Sequence, residues 1–396
     1  MVLPLGDAPN PRGVPWVTYL LVAANVAVYL FVTLPLSSVP PDPSDPLLQE
    51  YLRVLLPRLR GPVSLPMVLR EVTAYDLFVF VYGFRPAEPS LVSLFTSMFL
   101  HGGFVHLFGN MLFLWIYGDN VEHRLGGLRF LVAYLATGVA ATLFHAFFDP
   151  SPLPLVGASG AISGVLGFYF VWFPRNRVRL LVVLFPIFFD VILVPARLVL
   201  ALYLLVDNLL PFLVTHGSGM GGVAYGAHIG GFLAGWGAAR ILDRREWRAA
   251  PPEYRRPVAR EVGASIEAVR ALLARGEVEE AARIYFALDP EKTRRALEPE
   301  EMLAFAEELR RAGHPRAALT LYRRLLRDYP RGPGLAEAHL GAGLVLLEDL
   351  GMPTPAYQHF LDALDRDPPP EVAAEARRAL DRIAAMQKLR LGRFSR

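Results

Sequence analysis

The sequence predicts an all-α protein in which a membrane bundle of six transmembrane helices is followed by a soluble α-helical repeat domain. Two observations lead to this expectation. Hydrophobic residues make up 53% of the 396-residue chain and charged residues only 19%, a composition typical of membrane proteins. Apolar stretches of membrane-crossing length lie only in residues 1–248, whereas residues 261–396 are polar and repeat a helical pattern.

Bulk composition also narrows the classes of function. A net charge of only +3 gives no support for a nucleic-acid partner. Cysteine is absent, so disulfides, thiolate nucleophiles and cysteine-ligated metals are excluded, and no cofactor is expected.

The first apolar stretch, residues 16–35, is too long for the core of a signal peptide and lacks a clear cleavage site. We therefore expect it to remain as a membrane span.

Six apolar segments have the composition of membrane spans. The first is 20 residues long, about 30 Å as a helix, which matches the hydrocarbon core of a bilayer. The six predicted spans cover residues 16–35, 91–117, 130–148, 156–173, 198–214 and 223–241. Residues 36–90, between the first two spans, are rich in proline and in charges of both signs, and we expect an extended, partly structured extracytoplasmic loop there.

A seventh apolar stretch, residues 178–195, is interrupted by charged residues and prolines: Arg179, Pro186, Asp190 and Pro195. Arginine clusters follow the second, fourth and last spans, at residues 124–129, 175–179 and 240–248. The positive-inside rule places all three clusters in the cytoplasm, so an even number of spans must separate them. We therefore expect a cytoplasmic hairpin or a re-entrant segment at residues 178–195, and a six-span protein of the cytoplasmic membrane whose amino terminus is cytoplasmic.

Residues 261–396, which follow a proline- and arginine-rich linker at 249–260, repeat a helical pattern. Each of Gly276, Gly313 and Gly351 is followed five residues later by alanine and nine residues later by an aromatic residue. A glycine turn, a small residue at a helix crossing and an aromatic residue one turn on are typical of stacked helical hairpins. The pattern resembles tetratricopeptide repeats. This resemblance implies a cytoplasmic domain that binds a protein partner and does no chemistry.

A serine and a histidine in separate spans are the candidate catalytic pair. Ser159 lies at the start of the fourth span, where Gly157 and Gly160 allow close backbone approach on both sides of its hydroxyl. The unpaired N–H groups at a helix start favour a developing negative charge. His228 lies near the start of the last span, and with six spans both residues lie near the same outer face. An imidazole that takes the serine proton would activate this weak nucleophile.

Two polar residues of the second span form a further candidate site. His106 and Asn110 are four residues apart and share one helical face. Polar side chains inside a span are costly in lipid and indicate a functional site, with an interhelical hydrogen bond as the structural alternative. His101 falls off this face and is predicted to lie in the segment leading into the helix. No metal site is predicted, because no carboxylate accompanies the histidines at ligand spacing.

Three separated motifs occur together in this chain: HGGFVHLFGN at residues 101–110, GASGAISG at 157–164 and AHIGG at 227–231. Residues 94–100 and 117–126 agree with the same pattern. In this combination, the chain between Trp16 and Ile241 resembles the rhomboid family of intramembrane serine proteases. The resemblance implies an endopeptidase that cleaves within or beside transmembrane segments of other membrane proteins in the lipid bilayer.

The resemblance also implies roles for individual residues. Ser159 would be the nucleophile and His228 the general base, in a dyad, since no third acidic residue stands out. His106, Asn110 and the backbone N–H of Ser159 would form the oxyanion hole. In the turn that follows the second span, two charged residues would have a structural role: Glu122 and Arg124.

Small residues predict how the two catalytic helices meet. Gly160 and Gly164 in the fourth span, and Gly231 and Gly235 in the last, each form a GxxxG pair. Such pairs let helix backbones approach closely in a membrane. We therefore expect the fourth and last spans to pack closely enough for the serine to meet the histidine.

One position departs from the family pattern. Many members carry an aromatic residue one turn after the nucleophile, which packs against the catalytic histidine, whereas this chain has Ser163. Tyr225 or Tyr169 could take over this role. Ser163 is also a rival nucleophile, but it lacks the glycine two residues before it and lies one turn deeper, which favours Ser159.

Two other classes of function compete with the protease. A catalytically inactive rhomboid-like adaptor would recruit clients through its helical repeats, although such relatives usually lack the serine or the histidine. A transporter would account for the intramembrane Asp207, but the two halves show no internal symmetry. We assign Asp207 and Asn208 to helix–helix hydrogen bonding. His145 and His216 are predicted to be interfacial.

Overall fold

The computed structural model describes residues 2–11, 13–59, 64–184, 188–215, 223–248, 250, 251, 254, 265–289, 291, 293 and 295–391. The chain is mostly helical and divides into two compact units. The first comprises Met1–Asp7 and Gly13–Ala239, and the second comprises Ala8–Arg12 and Arg240–Arg396. The predicted linker lies largely outside the described residues, and the predicted domains 1–248, 249–260 and 261–396 stay a prediction.

The part of the chain that contains the first unit has the following described helices: α1 (Trp16–Leu36), α2 (Pro46–Leu55), α3 (Leu65–Glu71), α4 (Ala74–Tyr82), α5 (Leu91–Phe99), α6 (Phe104–Leu125), α7 (Gly127–Phe148), α8 (Ser159–Trp172), α9 (Ala196–Val214) and α10 (Tyr225–Arg248). Within the described ranges, α1, α7 and α9 are each long and apolar enough to cross a membrane. The pair of α5 and α6 passes the same test together but is bent by 88°. α8 is apolar and shorter, with 14 residues. A count of six spans stays a prediction.

The second predicted span corresponds to a bent pair of helices, and its crossing of the membrane stays a prediction. Residues 91–117 do not form one helix, because the chain bends between α5 and α6 at residues 100–103. This break contains two adjacent glycines, which lose more backbone entropy in a helix than any other residue. α6 then continues to Leu125, past the predicted end. As a result, His106 lies in the first turn of α6.

The apolar stretch after the fourth predicted span forms a β-hairpin. β2 (Arg177–Leu184) pairs antiparallel with β3 (Phe188–Pro195), and β1 (Val2–Ala8) completes the sheet in the order β1-β2-β3. The strands are rich in valine and other residues that favour extended backbone. Of the two expected forms, the structure contains the hairpin, while its cytoplasmic location stays a prediction. The all-α prediction misses this sheet. Pro186, one of the residues expected to interrupt a span, lies outside the described residues.

Close contact between α8 and α10 joins two helices of the first unit. A Cβ atom on Gly231 would lie 2.0 Å from the carbonyl oxygen of Gly160, and one on Gly235 would lie 1.9 Å from that of Gly164. Both distances are far shorter than a van der Waals contact, so any larger residue would force the helices apart. The predicted contact between these two glycine pairs is confirmed. Close packing of this kind drives helix association in lipid, where apolar burial gives little.

The amino-terminal end of α1 is held by Glu122 of α6. Its carboxylate accepts hydrogen bonds from the backbone N–H groups of Val17 (3.0 Å) and Thr18 (2.7 Å) and from the Thr18 hydroxyl (2.7 Å). A carboxylate here pairs N–H groups that lack partners within the helix and interacts favourably with the helix dipole. The guanidinium of Arg124 lies 4.3 Å over the ring of Trp172 in α8. Both charged residues therefore act structurally in this fold.

Asp7 fixes β1 to the helices. Its side chain is 2% exposed and accepts hydrogen bonds from the amides of Asn120 (3.0 Å) and Asn176 (3.3 Å) and from the hydroxyl of Tyr169. Burial raises the pKa of Asp7 to about 7, although its hydrogen bonds and the charge of Arg179 act in the opposite direction. The protonation state of the Asp7 carboxyl group is therefore expected to affect the stability of the fold.

The second unit contains, among its described residues, α11 (Ile266–Ala274), α12 (Val278–Ala287), α13 (Pro299–Arg311), α14 (Pro315–Asp328), α15 (Leu335–Leu344), α16 (Pro353–Leu364) and α17 (Pro370–Leu391). Gly276, Gly313 and Gly351 have positive φ angles and lie in turns between successive helices. The alanine and aromatic positions of the repeated pattern are buried: Ala281, Tyr285, Ala318, Tyr322, Ala356 and Phe360. The tetratricopeptide-like repeat and its protein partner stay predictions.

We predict that Gly235→Ala destabilises the protein by roughly 1–3 kcal/mol, because the added methyl group would collide with the carbonyl of Gly164. Gly237→Ala, two residues along the same helix, is the matched control. A carbon added there meets no described atom within 4 Å, so the gain in helix propensity of up to about 1 kcal/mol should remain. Thermal unfolding in detergent compares the two variants. Equal melting temperatures would contradict the close helix contact.

We also predict that the contribution of Asp7 to the free energy of unfolding falls as pH rises toward 7. The pKa of Asp7 in the folded protein lies above its ordinary value of 3.8, so the folded state holds the proton more tightly than the unfolded state. The stabilisation is complete below 3.8, is lost as pH approaches about 7, and stays lost above that pH. Asp7→Asn should remove this component. The measurement is the difference in melting temperature between wild type and variant as a function of pH, and a constant difference would refute it.

Candidate active site

Ser159 is the first residue of α8, and the loop before it is shaped by Gly157. This glycine has a φ of +122°, a conformation that favours glycine, and its N–H donates to the carbonyl of Ser97 at 2.8 Å. The turn directs the chain into α8 with the half-buried Ser159 at its start. The N–H groups of a first helical turn have no partner within the helix, so this position offers donors beside the hydroxyl.

The structure brings His228 to Ser159. His228 lies in the first turn of α10, and its Nε2 is 2.8 Å from the Oγ of Ser159. The two residues are 69 positions apart in the chain, and the glycine contact between α8 and α10 is what holds their helices at this distance. A neutral imidazole with a bare Nε2 can accept the serine proton, which is the arrangement of a nucleophile and its general base.

His106 of α6 lies beside the serine, and Asn110 follows it on the same helix. A Cβ atom on Gly157 would lie 2.9 Å from the Nε2 of His106 and 3.7 Å from the Oγ of Ser159, so the imidazole and the hydroxyl both flank this glycine. Asn110 is buried one turn further along α6, and its Nδ2 makes no hydrogen bond to any described residue. His101 precedes α6, as predicted, and its ring centroid is 5.1 Å from that of His106.

Ser163, the rival nucleophile, is placed differently. Its side chain is fully buried, and its Oγ is 2.9 Å from the hydroxyl of Tyr203 in α9. The Nε2 of His228 is hydrogen-bonded to Ser159 rather than to Ser163. The geometry therefore favours Ser159 as the reactive hydroxyl.

Sequence reasoning missed two partners of His228. The Oδ1 of Asn208 is 2.6 Å from the Nδ1 of His228, and the ring of Tyr203 lies beside the imidazole, with centroids 6.5 Å apart and planes inclined by 30°. The predicted helix–helix hydrogen bonding is confirmed for Asn208, but its partner, the catalytic candidate His228, was not predicted. Tyr169, one proposed ring partner, packs its ring against Tyr117 and Phe173, and the described ring beside His228 is that of Tyr203.

One feature of the sequence pointed to Asn208. It is an amide in an apolar span, and polar side chains at such depth generally face a partner inside the bundle. The neighbouring Asp207 is exposed, whereas Asn208 is 1% exposed. Spacing alone did not identify the partner, because the local winding of α9 decides which of the two side chains turns inward.

The remaining candidates lie outside the pair. A Cβ atom on Gly226 would lie 3.1 Å from the Nδ1 of His145, which places His145 beside the start of α10. His216 is outside the described residues. Within the described part of the chain, no three histidine, cysteine, aspartate or glutamate side chains are grouped closely enough to hold a metal ion.

Residues 88–245 match the family model described as the rhomboid domain. This range contains every residue of the site: His106, Asn110, Ser159, Tyr203, Asn208 and His228. Rhomboid proteins are integral membrane proteins, most of them intramembrane serine proteases that act on transmembrane substrates. The candidate spans of this chain agree with membrane integration.

The chain is similar to several curated rhomboid proteins. It is 44% identical to rhomboid protease GluP of Bacillus subtilis (strain 168) over 90 residues, 21% of this chain and 17% of that protein. It is 36% identical to mitochondrial rhomboid protein 1 of Saccharomyces cerevisiae over 103 residues, 25% of this chain and 29% of that protein. It is 30% identical to RHOMBOID-like protein 4 of Arabidopsis thaliana over 233 residues, 56% of this chain and 51% of that protein. The chain thus spans about half or less of these relatives.

Proposed function

We propose that this chain is a bacterial-type intramembrane serine endopeptidase that cleaves peptide bonds within or beside transmembrane segments of other membrane proteins. The observation that carries the proposal is the 2.8 Å contact between Ser159 Oγ and His228 Nε2 inside a rhomboid domain. Relatives named as proteases, such as GluP, support the same activity. The pairing of a serine with a histidine base is the minimum that acyl transfer by a serine requires.

In the proposed reaction, Nε2 of His228 takes the proton of the Ser159 hydroxyl as Oγ attacks the scissile carbonyl carbon. The tetrahedral intermediate collapses when His228 returns this proton to the leaving amine, which leaves an acyl-enzyme on Ser159. A water molecule then attacks the ester as His228 takes one of its protons. His228 returns this proton to Oγ when the acyl–Oγ bond breaks, which releases the acid product and restores the Ser159 hydroxyl. The same imidazole serves as base and acid in both halves of the reaction.

The developing negative charge on the carbonyl oxygen needs donors. We assign this role to His106, the Nδ2 of Asn110 and the backbone N–H of Ser159. Two observations support the assignment: His106 lies beside Gly157, and the buried Asn110 amide has no hydrogen-bond partner among the described residues. Each such donor is worth roughly 2.7–4 kcal/mol in a water-excluded site.

We propose a six-span topology made of α1 and α6 to α10, in the cytoplasmic membrane. Two observations support it. The starts of α8 and α10 meet at Ser159 and His228, as expected if both helices enter from the same side. Residues 178–195 lie in a β-hairpin rather than in a spanning helix. With the arginine clusters inside, the amino terminus and residues 261–396 are cytoplasmic.

Substrates must expose a backbone carbonyl to Ser159. Carbonyls within a helix are engaged in hydrogen bonds, so the scissile segment has to unwind locally. Transmembrane segments that contain glycine or proline with small residues at the cut fit this requirement. Binding of a cytoplasmic protein by the helices of residues 261–396 stays a prediction.

The test is cleavage of a single-span reporter protein in liposomes by the full-length chain. We expect Ser159→Ala and His228→Ala to lower the rate by more than about 10³-fold, because residues that act as one catalytic unit each carry most of its effect. Ser151→Ala, in the loop before α8, is the matched control and should cleave like wild type. Cleavage retained by Ser159→Ala would overturn the proposal. A folded wild type that cleaves no reporter would favour the inactive adaptor.

A further inference from the structure

The geometry points to Asn208 as a positioning residue that holds His228 in the tautomer able to accept the proton of Ser159. This inference rests on the proposed protease function and extends it from a dyad to a chain of three side chains. Asn208 lies on α9, outside the three motifs that carry the resemblance to rhomboid proteases. It does not touch Ser159, so it acts through the imidazole.

The orientation of the Asn208 amide follows from its two neighbours. Its Nδ2 donates to the backbone carbonyl of Tyr203 at 2.7 Å, and a carbonyl oxygen can only accept. The Oδ1 of Asn208 must therefore face the Nδ1 of His228, which is 2.6 Å away. Since Oδ1 also only accepts, the proton of the neutral imidazole lies on Nδ1. Nε2 then carries the lone pair, 2.8 Å from the Ser159 Oγ.

The local winding of α9 delivers Asn208 to this place. Residues Leu205–Leu209 form a π-helical turn in the middle of the helix. Such a turn inserts one residue and shifts the faces of the helix after it, and it occurs often at functional sites. Here it buries Asn208 and leaves the adjacent Asp207 exposed. The buried member of the pair is the one that bonds to His228.

A second contact from α9 supports the same imidazole. The ring of Tyr203 lies beside His228, and its hydroxyl is bonded to the Oγ of Ser163 at 2.9 Å. Ser163 occupies the position where many rhomboid proteases have an aromatic residue. In this chain the serine at that position holds a tyrosine from another helix, so α9 supplies both the ring and the hydrogen bond that orient His228.

Asn208 is neutral, so its effect on His228 differs from the effect that an aspartate would have at the same position. An acceptor without charge fixes the tautomer and the ring orientation but adds little attraction to the imidazolium that forms during the reaction. We therefore expect a loss of turnover, rather than of substrate binding, when the acceptor is removed. We also expect a changed pH–rate profile when the acceptor becomes a carboxylate.

The experiment compares Asn208→Leu, Asn208→Asp and the control Asp207→Leu with wild type in liposomes, using the full-length chain and the single-span reporter. We expect Asn208→Leu to lower kcat about 10- to 100-fold with KM little changed, the effect of leaving a buried donor unpaired. Asn208→Asp keeps the acceptor, so turnover should recover, with the acid limb of the pH–rate profile at higher pH. Asp207→Leu alters the same π-helical turn on its exposed side and should match wild type.

A second readout does not depend on cleavage. In protein with isotope-labelled histidine, the NMR signal that is lost in His228→Ala should report a proton on Nδ1 in wild type and its loss or exchange broadening in Asn208→Leu. Wild-type kcat in Asn208→Leu, equal losses in Asn208→Leu and Asp207→Leu, or an unprotonated Nδ1 in wild type would each overturn the assignment. If Ser159→Ala cleaved as well as wild type, the proposed function itself would fail, which is a separate result.

Discussion

The contact between α8 and α10 is the constraint on which the site depends. At Gly231 and Gly235 a Cβ atom would lie about 2 Å from a carbonyl oxygen of α8, so only glycine, which has no Cβ, fits at these positions. At that separation the first turns of both helices meet, and a side chain as short as serine reaches an imidazole on the other helix. One residue of sliding moves a helix by about 1.5 Å, enough to break a 2.8 Å hydrogen bond. Backbone contact therefore sets the chemistry.

Polar side chains in this apolar bundle form a continuous hydrogen-bond network. The carbonyl of Tyr203 binds the Asn208 amide, Asn208 binds His228, and His228 binds Ser159. Each link satisfies a group that would be costly to leave unpaired away from water, and each link orients the next. The amide of Asn110 does not belong to this network and has no hydrogen-bond partner among the described residues.

The sequence was sufficient where its patterns are local or specific to a family. The serine and histidine motifs, the glycine pairs and the interruption of residues 178–195 each predicted what the structure contains. It was insufficient where non-local packing decides. The π-helical turn of α9 selects Asn208 over Asp207, and β1 pairs with a strand about 170 residues away, so neither follows from periodicity. The adjacent glycines before α6 indicated the break, but the apolar stretch around them favoured the prediction of one continuous span.

We propose that Ser159, activated by His228, is the nucleophile of this protein. The most direct measurement is reaction of the folded, membrane-embedded protein with a fluorophosphonate, followed by mass spectrometry of the modified peptide. A serine becomes covalently modified only if it is accessible and activated by a base. We expect modification at Ser159 in wild type and none in His228→Ala. Modification at Ser163, or equal modification of Ser159 with and without the histidine, would contradict it.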